Sequence, residues 1–305
     1  MSIPQKSTFA KEPADTLMSE FALRVLVEFG GGETYVIGTA TLIAPYVVLT
    51  AKHVLDEITT RFGTETDEDG TPVIADYSIR LYQCLPGPTY IIYQVVKAWS
   101  HPDTDISVLH LALFRSSSRE LLRNSGAKMK WRHPPLAFGP PRLGERLAAF
   151  GYHSSKVDTR PAENGNYHLE LTDAPTTSTG LVEEILPQGQ PAGNFTFPCY
   201  RIAARFDGGM SGGPVFDQEG ALCGIISGSL SPGDDQDEPI SYVCMLWPIL
   251  RLTISVNRGP KFPRNVKYPM AHLVRDGQLH VMPHSFNGID PKLIWAWYSG
   301  TVSDS

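Results

Sequence analysis

FDGGMSGGPVF, residues 206–216, sets one serine among four glycines. Glycine lets the backbone turn sharply and lets a carbonyl group approach closely, because no Cβ stands in the way. The N–H groups of Gly209 and Ser211 can then converge on one oxygen, which is the arrangement that stabilises a developing oxyanion. Pro214 and the apolar pair Val215-Phe216 follow at once, so the turn runs into a strand rather than a helix. At this level a glycine-rich turn with an incidental serine is the plain alternative.

Outward from that turn the chain reads as short β-patterned runs. Residues 21–29 alternate, glycines 30–32 turn, and residues 33–45 return. YVVLTAKHVL (46–55) is a buried strand running into a short turn or helix, and further strands are expected over 77–85, 90–101 and 105–113. Residues 128–145 (KMKWRHPPLAFGPPRLGE) are proline-rich, interrupt the periodicity and read as a linker. A second block follows with strands expected over 146–152, 167–174, 198–206, 214–229 and 240–246. Residues 247–256 read as a helix, and 272–281 as a hairpin turning at Asp276-Gly277. The 25 prolines and 27 glycines suit many strands joined by turns. The expected fold is all-β, two barrels around the proline-rich join. The divisions are a flexible arm over 1–18, a first barrel over 19–130, a second barrel with a terminal helix over 131–256, and an extension over 257–305.

Composition narrows the function classes. Apolar residues at 42% and charged residues at 19% describe an ordinary globular protein. A net charge of −6 without a long basic run argues against a nucleic-acid partner. No apolar run is long enough to span a bilayer, so no membrane partner is expected. The first residues lack an apolar signal core, and Cys84, Cys199, Cys223 and Cys244 show no paired or metal spacing. Reduced thiols and a cytoplasmic location follow as expectations, with no metal and no cofactor. Glu65, Asp67, Asp69 and Asp76 surround Gly70 and match a calcium loop in part. The end positions are swapped in type and no flanking helices are expected, so an acidic turn without metal is the reading.

A serine becomes a nucleophile only when a base takes its proton and a third group holds that base. Among nine histidines, His53 stands where an apolar strand ends, at the rim of a β-core. Asp105 immediately precedes the apolar run of residues 106–113, whereas Asp103, its near rival, does not. Taken singly, His53 also fits a surface histidine at a strand end, and Asp105 a turn aspartate at a strand entrance.

Taken in order, LTAKHV (49–54), DISVLHL (105–111) and GMSGGPVF (209–216) resemble the three signature blocks of the trypsin-like, chymotrypsin-fold serine proteases. The resemblance spans about residues 20–250. It implies two packed six-stranded antiparallel β-barrels with the site in the cleft between them, and protein or peptide substrates. His53 would be the general base and then acid, Asp105 would orient it, and Ser211 would attack the scissile carbonyl. The oxyanion hole would be the N–H groups of Gly209 and Ser211. A rival exists in the G-x-S-x-G elbow of the α/β-hydrolase esterases. That fold needs the acid and histidine after the serine and a helix directly behind it. His272, His280 and His284 do lie downstream, but Pro214 and Val215-Phe216 lead into a strand and no alternating βα pattern surrounds the site.

The chain also departs from the family. Zymogen-activated members carry an aspartate before the serine that pairs with a newly cut N-terminus, and Met210 stands there instead. No cysteine lies near His53 for the disulfide that usually flanks the histidine. Both departures resemble the bacterial HtrA-like and glutamyl-endopeptidase-like branches, without activation by N-terminal cleavage. A dormant protease-fold binding module that works with a regulatory protein partner is the alternative. In LCGIISGSL (222–230) the resemblance puts Ser227 beside Asp105, with Gly228 and Ser229 lining the primary pocket. Arg205, six residues before Ser211, falls near the pocket floor, where it would favour an acidic side chain, or else points outward if loop lengths differ. The acidic loop 231–239 would favour basic segments, so the preference stays open. Trp295 and Trp297 fit packing of the tail on its own domain, or docking on another protein.

Overall fold

The structure is a computed structural model. It describes residues 7–13, 16–29, 33–62, 65–66, 72–73, 77–85, 89–114, 133–161, 167–230, 239–255 and 267–283. Most of the acidic segment 65–76, most of loop 231–239, and Trp295 and Trp297 lie outside the described residues.

The strands of the N-terminal half are β1 (Thr8–Lys11), β2 (Ala22–Phe29), β3 (Thr34–Ala44) and β4 (Val47–Thr50). Helix α1 (Lys52–Phe62) follows, then the two-residue strands β5 (Glu65–Thr66) and β6 (Pro72–Val73). β7 (Tyr77–Leu85), β8 (Thr89–Ser100) and β9 (Ser107–Leu113) complete a closed barrel in the order β2-β3-β4-β9-β8-β7. Its interior is filled by apolar side chains from alternate positions, among them Leu23, Val25, Leu42, Val48, Leu81, Ile91, Tyr93 and Leu109. Closing the sheet removes the exposed edges that an open sheet of this length would present.

The second half holds β10 (Arg146–Pro161), β11 (Tyr167–Leu186), β12 (Cys199–Ile202), β13 (Pro214–Phe216), β14 (Leu222–Leu230) and β15 (Ile240–Met245). They run β11-β10-β13-β14-β15-β12, and β12 pairs back onto β11, which closes a second six-stranded barrel. An apolar cluster joins the two barrels, with Ile43, Leu49, Ile106 and Val108 of the first packed among Phe138, Phe195, Phe216 and Leu222 of the second. The architecture is the all-β double barrel expected. Behind Ser211 the chain enters β13 and not a helix, which removes the α/β-hydrolase reading. Among the described residues no helix is long and apolar enough to cross a membrane.

Four features differ from the sequence reading. Within the arm expected over 1–18, Thr8–Lys11 is a strand, paired antiparallel with Thr176–Thr179 of β11. The β10–β11 hairpin extends far past the expected strands, to Pro161 paired with Tyr167. Residues 153–160 of β10 are mostly polar, with ion pairs such as Arg160–Asp158. β11 runs on past the expected 167–174 to Leu186 with Thr176 and Ser178 on its buried side, so no apolar alternation marks either stretch. Residues 247–251 form a 3-10 turn only, after which β16 (Thr253–Ser255) pairs with β17 (Lys267–Pro269). The expected hairpin over 272–281 is instead helix α2 (Met270–Arg275) and its cap. Gly277 is left-handed (φ 67°), its N–H bonds the Val274 carbonyl, and the Gln278 N–H bonds the Leu273 carbonyl. An Asp-Gly pair serves a helix C-cap as readily as a hairpin turn, because both need a residue at positive φ.

Candidate active site

β4 is buried throughout and stops at Thr50, and α1 begins at Lys52. Val54, Leu55 and Ile58 turn into the first barrel, which leaves His53 on the outer side of the first helical turn with its side chain 44% exposed. Asp105 sits in the connection between β8 and β9, closed by the His101 N–H on the Ile106 carbonyl at 2.9 Å. Its carboxylate accepts the His53 backbone N–H at 2.9 Å and faces Nδ1 of the ring, 3.0 Å from Oδ1 and 2.9 Å from Oδ2. A carboxylate can only accept, so the proton lies on Nδ1 and Nε2 is left as the basic nitrogen. Burial opposes the charged imidazole. The hydrogen bond and charge of Asp105, with Glu57 and Asp56 adding to them, outweigh that and raise the His53 pKa above its ordinary value.

The serine loop reaches this pair from the second barrel. Gly209 adopts φ 94° and Gly212 φ 83°, a conformation that disfavours residues with a Cβ. Hydrogen bonds tie the loop to β3 of the first barrel. Thr39 N–H donates to the Ser211 carbonyl at 2.9 Å. Thr39 Oγ1 donates to the Gly209 carbonyl at 2.8 Å, and Thr41 Oγ1 to the Gly212 carbonyl at 2.9 Å. The N–H groups of Gly209 and Ser211 have no acceptor among the described residues. Met210 is fully buried among Leu147, Tyr200, Ala204 and Val215, and its sulfur lies 3.4 Å from the Asp207 N–H. The loop is therefore anchored from below by apolar burial.

Ser227 links the parts, since its hydroxyl donates to Asp105 Oδ2 and its carbonyl lies 3.5 Å from Ser211 Oγ. Among the described hydrogen bonds Ser211 Oγ does not reach His53. A cavity of about 450 Å³ opens beside His53 and Asp105, walled by Thr104, Phe195, Phe197 and Gly228. Phe195 is held by stacking on Tyr242, with ring centroids 4.0 Å apart. Beyond Ile226, β14 has no strand on its β13 side among the described residues, which leaves the backbone of Ser227–Ser229 open there. Ser229 is exposed, accepts the Phe206 N–H at 3.3 Å and pairs with Ser241 Oγ at 2.5 Å. Arg205 does not form a pocket floor. Its side chain is 59% exposed and doubly bonded to Asp207, at 2.7 and 2.8 Å. Thr39 and Phe195 had no sequence signal, because their parts depend on which loops meet across the barrels.

Two β-barrels that hold a histidine–carboxylate pair on one side and a glycine-rich serine turn on the other define the class of chymotrypsin-fold serine hydrolases. The trypsin-like peptidase domain matches residues 38–225, more than half of the 305-residue chain, and the chain belongs to that family of serine proteases. No curated protein matches it. Among solved structures it is similar to the active form of the Rv3671c protease from M. tuberculosis, at 17% identity and TM-score 0.45, over 79% of this chain and 85% of that one. It is also similar to Deg5, at 16% identity and TM-score 0.45, over 77% of this chain and 87% of that one. A third is the HtrA-type protease AlgW with a tripeptide, at 18% identity and TM-score 0.44, over 75% of this chain and 57% of that one.

Proposed function

We propose that the chain is an active serine endopeptidase whose nucleophile is Ser211, whose base is His53 and whose orienting acid is Asp105. The observation that carries this reading is the His53 ring held by Nδ1 on the Asp105 carboxylate, which leaves Nε2 as the basic nitrogen. His53 Nε2 takes the proton as Ser211 Oγ attacks the scissile carbonyl. The N–H groups of Gly209 and Ser211 receive the oxyanion, and the imidazolium returns its proton to the leaving amine. Water then hydrolyses the acyl-enzyme by the same exchange. The open backbone of Ser227–Ser229 suits an extended polypeptide that pairs along β14, and the cavity beside His53 suits one of its side chains.

Activation without N-terminal cleavage is part of the same reading, because Met210 fills its place with an apolar side chain and offers no charge to a new N-terminus. A resting state that needs substrate or a partner protein to bring Ser211 onto His53 is the second reading. It rests on Ser211 Oγ facing the Ser227 carbonyl. Covalent labelling by a fluorophosphonate tests the first. Labelling is expected in the wild-type chain, none in Ser211→Ala, and very little in His53→Ala. Labelling that persists in Ser211→Ala would overturn the assignment, and labelling only with a partner present would favour the second reading.

A further inference from the structure

The N-terminal strand lies where the second barrel has a gap. β12 pairs with β11 over residues 182–186, and the Ala203 N–H still reaches the Leu181 carbonyl at 3.0 Å, but no strand of the second barrel pairs with that edge of β11 over residues 176–179. β1 takes up the uncovered stretch, with Phe9 opposite Ser178 and Ala10 opposite Thr177. The Glu12 N–H extends the ladder to the Pro175 carbonyl at 2.8 Å, and Thr8 Oγ1 meets Thr179 Oγ1 at 2.7 Å. Phe9 is the one residue of β1 that is not exposed. Its ring packs on His153 at 5.4 Å, and the Arg205 guanidinium lies over it at 4.7 Å from the centroid.

Both contacts lead to the oxyanion loop. Arg205 holds Asp207 with two hydrogen bonds, and the Asp207 carbonyl accepts the Met210 N–H at 3.1 Å to close the turn before Ser211. Asp207 Oδ2 also lies 3.8 Å from His153 Nδ1. On the other flank, Gly209 is so close to the Tyr152–His153 backbone that a Cβ there would stand 2.6 Å from the Tyr152 oxygen and 3.6 Å from the His153 Cα. The loop is thus wedged between Asp207 and β10, and Phe9 touches both Arg205, which holds Asp207, and His153, which stands on β10.

We infer that β1 is a brace for the oxyanion loop and that Phe9 and Arg205 are positioning residues, acting through Asp207 and His153. The inference rests on the protease reading above. In this arrangement the brace stands in for charge. Where a buried ion pair would pull the loop down from inside, Met210 supplies only apolar packing, and the orientation of the loop is completed from outside by an aromatic ring and an arginine.

The test uses the full chain with Phe9→Ala, Phe9→Tyr and Arg205→Gln, and measures fluorophosphonate labelling rates, kcat and KM on a peptide substrate, and thermal midpoints. Phe9→Ala and Arg205→Gln are expected to slow labelling and lower kcat about tenfold with little change in KM, since a displaced loop weakens the transition state and not ground-state binding. Phe9→Tyr, which keeps the ring, is expected to restore the rate to within about twofold. Arg205 is exposed, so its variant carries the test even if Phe9→Ala folds poorly. Wild-type labelling with unchanged rates in Phe9→Ala and Arg205→Gln overturns the brace and leaves the protease reading intact. Equal losses in Phe9→Ala and Phe9→Tyr also overturn the brace. No labelling of the wild type overturns both.

Discussion

Gly209→Ala tests the oxyanion hole at its tightest point. A methyl at Gly209 would stand 2.6 Å from the Tyr152 carbonyl oxygen, 0.8 Å inside the 3.4 Å at which ordinary contact begins. The residue also sits at φ 94°, outside the range that alanine adopts cheaply, which costs on the order of 1–2 kcal/mol. Tyr152 belongs to the wall of the second barrel and cannot give way, so the loop must move and take the Gly209 N–H with it. Displacing one oxyanion donor lowers kcat by about 10²- to 10³-fold, roughly 2.7–4 kcal/mol in the barrier. The strain alone lowers the thermal midpoint by about 2–3 °C. Steady-state kinetics on a peptide substrate and a melting curve measure both. Gly208→Ala is the control, since a Cβ there meets nothing within 4 Å, and its kcat is expected within about twofold of wild type. Wild-type kcat in Gly209→Ala, or an equal loss in Gly208→Ala, would refute the reasoning.

Three further outcomes follow from the same geometry. Asp105→Asn is expected to lower kcat by about 10⁴-fold, because an amide no longer forces the proton onto Nδ1 and Nε2 ceases to be the base; loss of less than about tenfold would remove Asp105 from the assignment. The His53 pKa is raised, and catalysis needs the neutral ring, so kcat/KM should fall as pH drops through a midpoint above the ordinary histidine value of 6.5. That acid limb should move down in Asp105→Asn, where the charge and hydrogen bond that raise it are gone. Met210→Ala should cost about 2–5 kcal/mol in urea unfolding, since it empties a fully buried side-chain volume under the serine loop.

Much of the double barrel is legible in the chain because each barrel strand must alternate or run apolar to fill an interior, and the expected strands over 77–85 and 240–246 lie on β7 and β15. The outer part of β10 escapes this logic because residues 153–160 are mostly polar and none is buried, and the inner part of β11 escapes it because Thr176 and Ser178 fill its buried side. β1 escapes it too. Its four residues gain a partner only because β12 leaves part of β11 uncovered, a fact of topology that no local pattern encodes.

The site divides the same way. Glycines at 209 and 212 and a strand-entering Pro214 are local requirements of the turn, so the letters alone mark Ser211 as a candidate, and the fully buried strand before His53 marks that residue. Bringing His53 to 2.9 Å from Asp105 across 52 residues, and turning Arg205 away from the cleft onto Phe9 and Asp207, are decisions of the tertiary structure. Counting residues from Ser211 sets where Arg205 stands along the chain. Its direction is set by which carboxylate and which ring lie within reach, and both the ring and the gap that admits it exist only once the second barrel has closed.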